Sequence, residues 1–112
     1  MRPEKLYLTD IIEAADAIER FCEGISFDQV IKEEMRQAAI LQKLIIIGEA
    51  AAHLPDTFYQ QHKDIPWVDI IGFRNIAVHE YFAMQWDIVW ETATYDVPIL
   101  RKQIIKLLQL YP

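Results

Sequence analysis

Apolar residues recur at steps of three and four along almost the whole chain, and glycine and proline interrupt that rhythm at only a few places. Side chains three and four apart share one face of an α-helix, so such a chain must pack amphipathic helices on one another. Leu8, Ile11, Ala15, Ile18 and Cys22 mark a first helix from about Lys5 to Cys22, with Gly24 as its C-terminal cap. Ser26 with Gln29 three residues on forms a capping box that starts a second helix. Val30, Ile31, Met35, Ala38, Leu41, Ile45, Gly48 and Ala52 carry this helix to Leu54, where Pro55 prevents continuation. Ile45, Ile46 and Ile47 alone resemble a strand, but they lie inside the longer helical period. Asp56 to Lys63 forms a short helix or turn, and Pro66 opens a third helix, because its fixed φ suits a first turn. There Trp67, Ile70, Ile71, Phe73, Ile76, Ala77 and Val78 surround most of the axis, which predicts a largely buried helix. A last helix spans about Gln85 to Leu110, and Pro98 within it predicts a kink near Thr94 to Pro98. The expected fold is an all-α, up-and-down four-helix bundle with one short extra helix, in a single domain over residues 1–112.

Composition narrows the function. A chain of 112 residues buries roughly 65 % of its unfolded surface, enough for one core. The net charge is −6, from 11 Lys and Arg against 17 Asp and Glu, so no general attraction draws this chain to phosphate. Any action on RNA must use a local cationic cleft around Arg74 or a second subunit, and the acidic balance also suits a basic partner. Cys22 is the one cysteine, which excludes an intrachain disulfide and reads as a small core residue. No signal peptide and no membrane-length apolar run is visible, so the expectation is a cytoplasmic protein with no membrane contact.

The segment from Pro66 to Phe82 concentrates the chemistry. Arg74 and His79 are about 140° apart around a continuous helix, whereas Asn75 and His79 share a face. Gly48 in mid-helix costs about 1 kcal/mol relative to alanine, which fits a close approach by another helix. Glu49 beside it is either a solvated carboxylate or a partner for Arg74 across that contact. Arginine supplies a permanent fork of phosphate donors, and histidine titrates near neutrality as base or acid. The bland alternatives are an Arg74 that only neutralises Glu49 and a His79 satisfied in a core or interface. Glu49 and His53 are four apart, as helical metal ligands often are, but no clear third ligand accompanies them, so neither metal nor cofactor is expected. His62 lies in a polar insert and is expected to face solvent. Trp67, Trp86 and Trp90 fit core or dimer-interface positions better than base-stacking ones, and the remaining tyrosines show no pattern beyond packing.

The ordered set Arg74, Asn75, His79 and Tyr81 resembles the signature of the HEPN superfamily, and within it the HepT-like toxins encoded beside a minimal nucleotidyltransferase. Further similarity lies in YLTDI at Tyr7 to Ile11, IGEA at Ile47 to Ala50, IPW at Ile65 to Trp67, and the pair Val89 and Trp90. Phe73 departs from the pattern, standing where methionine is expected before the arginine. The resemblance implies a homodimer whose two copies of Arg74 and His79 form a metal-independent endoribonuclease cleft, supported by Asn75 and Glu49. It also implies Tyr81 as the acceptor of AMP from a nucleotidyltransferase antitoxin. The alternative is a non-catalytic helical module that binds nucleotide or docks such a nucleotidyltransferase.

Overall fold

The computed structural model describes residues 3–111, leaving aside the side chain of Phe82. All regular structure among the described residues is helical. Helix α1 spans Glu4–Cys22 and buries Leu8, Ile11, Ala15 and Ile18 as its periodicity predicts. It ends where Gly24 turns to φ +73°, the left-handed conformation that glycine adopts without steric cost. Cys22, expected in the core, is half-buried.

The long second helix is instead two helices. Ser26 caps the short α2, Phe27–Val30, by accepting from the Gln29 amide at 3.2 Å, and α3 begins afresh at Glu34 and runs to Ala52. Tertiary contacts pay for the break at residues 31–33. The Gln37 side-chain amide donates to the Val30 carbonyl at 2.9 Å, and Arg36 donates to the Phe21 carbonyl of α1 at 2.8 Å. Val30 is thereby sunk into the core, while Ile31 and Met35, assigned to the buried stripe by spacing, face solvent. The face of α3 that is buried carries Ile40, Leu41, Leu44, Ile47, Gly48 and Ala51.

Helix α4, Asp56–Gln61, is the short extra helix, and Tyr59 within it donates to the Ala51 carbonyl near the end of α3 at 2.7 Å. His62 does not face solvent freely: its ring lies half-buried against Phe58, with centroids 4.6 Å apart. Pro66 then caps α5, Trp67–His79, whose Trp67 indole donates to the His62 carbonyl at 2.9 Å. A 3₁₀ turn at Tyr81–Ala83 leads to α6, Trp86–Glu91. The kink expected near Pro98 takes the form of a π-helical turn at Thr92–Asp96, which passes directly into α7, Val97–Leu108. One wide turn places the residue that lacks an amide where its missing bond is not needed.

Helices α1 and α3 form the centre, with α7 against α1 and α5 against α3. Helix α5 leans chiefly on α3, which corrects the expectation of a largely buried helix. Only Trp67 and Ala77 of α5 are buried, while Val68, Ile76 and Val78 are 85 %, 51 % and 48 % exposed. Its apolar circumference therefore exceeds what one chain covers.

Candidate functional site

Arg74 owes its position to a glycine. A methyl group built on Gly48 stands 2.2 Å from Cβ of Arg74 and 3.3 Å from the Ile70 carbonyl oxygen, so α3 and α5 meet here with no room for any side chain. That approach carries the Arg74 stem across α3 to Glu49, the next residue, and Nη1 donates to Oε1 at 2.5 Å. The pair is only partly shielded, with side-chain exposures of 22 % for Arg74 and 44 % for Glu49. Nε of Arg74 is buried without a hydrogen-bond partner among the described residues. A guanidinium so placed keeps donor capacity that its carboxylate partner does not use.

The other residues of the motif stand elsewhere on α5. The helix is continuous to His79, so His79 lies about 7.5 Å further along the axis and about 140° round from Arg74. Its imidazole is exposed and makes no hydrogen bond, ion pair or ring contact among the described residues, and the same holds for Asn75. Val68, Gly72, Asn75 and His79 follow one another at steps of four, three and four, a single stripe turned away from α3. Tyr81 follows at the 3₁₀ turn with its side chain 42 % exposed. The structure therefore brings Glu49 to Arg74 and sets Asn75 beside His79, but one protomer does not join the two pairs.

Spacing did not reveal what surrounds Glu49. Tyr7 and Asp10 of α1 and His53 at the end of α3 line a shallow cavity of about 280 Å³ together with Ile46, Glu49 and Ala50. The His53 and Tyr7 rings stack at 5.3 Å, and Nδ1–H of His53 donates to the Glu49 carbonyl at 2.7 Å. That bond ties the His53 ring to its own helix and leaves Nε2 as its acceptor nitrogen. Among the described residues no three His, Cys, Asp or Glu side chains are grouped to hold a metal ion, and no helix is long and apolar enough to cross a membrane. The pairing of Tyr7 and Asp10 with Glu49 was latent in two separate stretches, YLTDI and IGEA, which only the α1–α3 contact joins.

The family model described as Ribonuclease HepT-like matches residues 11–107. A "Putative RNase" of Caldanaerobacter subterraneus subsp. tengcongensis is 36 % identical over 109 residues, covering 97 % of each chain. "Probable ribonuclease HepT" of Thermococcus cleftensis is 36 % identical over 106 residues, covering 95 % of this chain and 96 % of the relative. A "Putative RNase" of Methanocaldococcus jannaschii is 32 % identical over 103 residues, covering 92 % of this chain and 94 % of the relative. No solved structure matches the chain.

Proposed function

The chain belongs to the Ribonuclease HepT-like family, and on that premise we propose that it is a metal-independent endoribonuclease, the toxin of a toxin-antitoxin pair. The observation that carries this reading is a fixed guanidinium with unused donors on the same helix as a solvent-exposed imidazole without a partner. In the proposed reaction a histidine takes the proton of a ribose 2′-hydroxyl. The oxygen attacks the neighbouring phosphorus, giving a 2′,3′-cyclic phosphate, and the departing 5′-oxygen receives a proton from a second acid. Arg74 neutralises the charge that gathers on the phosphorane oxygens, and Asn75 orients the imidazole or the phosphate.

One His79 does not serve as base and acid in the same step, and Arg74 points away from it. A two-fold partner meets both needs. The stripe of Val68, Gly72, Asn75 and His79 supplies a self-complementary face, on which an 85 % exposed valine finds cover and two imidazoles approach. Tyr81, two residues past His79, then borders the same cleft. Transfer of AMP to its phenol by a nucleotidyltransferase antitoxin adds bulk and negative charge where RNA phosphate would bind, and so silences the toxin. Such a protein works in the cytoplasm.

The second reading, a non-catalytic module that holds nucleotide or docks a nucleotidyltransferase, draws on the Arg74–Glu49 pair and on the net charge of −6. One experiment separates the two. Single-stranded RNA is incubated in excess EDTA with the unmodified protein and with folded His79→Ala and Arg74→Ala variants. Cleavage by the wild type alone, with 2′,3′-cyclic ends, is the expected result. No cleavage by a folded, dimeric and unmodified protein rejects the nuclease in favour of the binding module.

A further inference from the structure

Because α5 packs on α3 and stands off from α7, a groove of about 490 Å³ opens between the two outer helices. Leu44, Ile47 and Leu100 form its apolar floor, with Ile70 and Phe73 on the α5 wall and Ile99 on the α7 wall. One end is closed by the Gln103 amide, which donates to the Asp64 carbonyl at 3.2 Å. Three exposed carboxylates stand on the rim, those of Asp64, Asp69 and Asp96, and no lysine, arginine or histidine lines the groove. Phe73 and Asn75 are about 200° apart around α5, so the groove and the Val68–His79 stripe occupy opposite sides of that helix.

We propose that this groove docks a cationic amphipathic helix of a partner protein, apolar residues inward and lysines or arginines against the three aspartates. The apolar floor and walls offer room for one row of side chains at i, i+4 and i+7, the usual footprint of a helix laid in an apolar groove. Charge selects the occupant. A second copy placed groove to groove would oppose two identical sets of carboxylates, and an anionic lipid surface would meet the same repulsion. A cationic segment gains both the apolar burial and the rim charges. The contact leaves the stripe of His79 open, so docking and self-association are compatible.

Fluorescence anisotropy with a labelled peptide of leucine and lysine, leucines at i, i+4 and i+7, tests this on the full chain. A scrambled peptide of the same composition serves as control. The wild type is expected to bind the patterned peptide and not the scrambled one. Affinity is expected to fall about tenfold in an Asp69→Asn, Asp96→Asn variant and to vanish in Ile99→Lys, whose side chain is half-exposed and tolerates replacement. Neutralising Glu13 and Glu23, exposed carboxylates outside the groove, leaves affinity unchanged. Equal binding of the scrambled peptide, or indifference to both groove variants, overturns the proposal. Loss of self-association in Ile99→Lys, measured by sedimentation, also overturns it, by assigning the groove to contact between copies. Attachment to anionic vesicles that Ile99→Lys abolishes would assign the groove to lipid, with the same consequence.

Discussion

Replacing Gly48 by alanine sets two effects against each other. Within a helix, alanine is favoured over glycine by about 1 kcal/mol. The added methyl, however, arrives 2.8 Å from Cγ of Arg74 and 2.2 Å from its Cβ, an atom that moves only with the backbone of α5. Ordinary contact requires α3 and α5 to separate by more than 1 Å along most of their shared length, and overpacking of this kind costs typically 1–3 kcal/mol. With no flexible chain end to yield, the upper part of that range applies, and the net loss is about 2 kcal/mol. For a domain of this size the thermal midpoint then drops by about 8 °C, read by circular dichroism and checked by urea titration at constant m. Gly72 provides the matched comparison, since a methyl built there meets nothing within 4 Å. At concentrations too low for the proposed association of copies through the α5 stripe, Gly72→Ala is expected to hold or raise the unfolding free energy, by up to about 1 kcal/mol. A Gly48→Ala protein that melts at or above the wild type would refute the close contact on which the placement of Arg74 rests.

Val68→Asp removes an 85 % exposed side chain, so the stability of the single chain stays within about 0.5 kcal/mol while sedimentation is expected to show the proposed dimer dispersed; unchanged association rejects the α5 stripe as its interface. Glu49→Gln leaves stability within about 1 kcal/mol, because the ion pair is partly exposed, but lowers RNA cleavage by loosening Arg74; unaltered cleavage removes Glu49 from the site. Burial raises the Cys22 thiol above its ordinary 9.0, opposed by the nearby Arg36 charge, and burial with Asp56 raises the Tyr59 phenol above 10.0. Both groups hold their proton more tightly when folded, so their contribution is complete below the unfolded values and is lost as pH rises through the folded ones. Stability is expected to decline as pH rises above about 9, less steeply in Tyr59→Phe, and a flat profile in urea titrations refutes this.

What the chain reveals by itself follows the range of the interactions involved. The end of α1 at Gly24, the cap at Ser26, the start of α5 after Pro66 and the disturbance before Pro98 each depend on one residue's backbone chemistry, and each is legible. The break between α2 and α3 is not, because Gln37 and Arg36 compensate it through carbonyls at Val30 and Phe21. Periodicity carried Ile31 and Met35 inward for the same reason: the phase of the stripe resets at the break. Apolar residues around all of α5 signal burial without saying by whom, and within one chain α3 covers only part of them. The glycine before Glu49 makes a contact with Arg74 legible as one of two alternatives, and the structure selects it; Tyr7 stands out only as part of YLTDI, and nothing local joins that stretch to Glu49.

In the proposed nuclease reading, the Arg74–Glu49 pair decides how an acidic chain would still meet phosphate. Were the pair fully buried, releasing Glu49 would strand a charge at a cost of several kcal/mol, and Arg74 would be a structural residue. At the observed exposures the pair is worth about 1 kcal/mol or less, so a phosphate that offers the guanidinium a second anion displaces or shares it cheaply. Nε is buried and holds the guanidinium plane fixed, so a phosphate would meet an outer amino group while Nη1 stays with Glu49, which favours sharing over exchange. In that reading the carboxylate holds the fork in place while a second amino group takes the phosphate. On this argument the net charge of −6 limits encounter with RNA more than it limits the chemical step, so added salt screens repulsion instead of removing attraction.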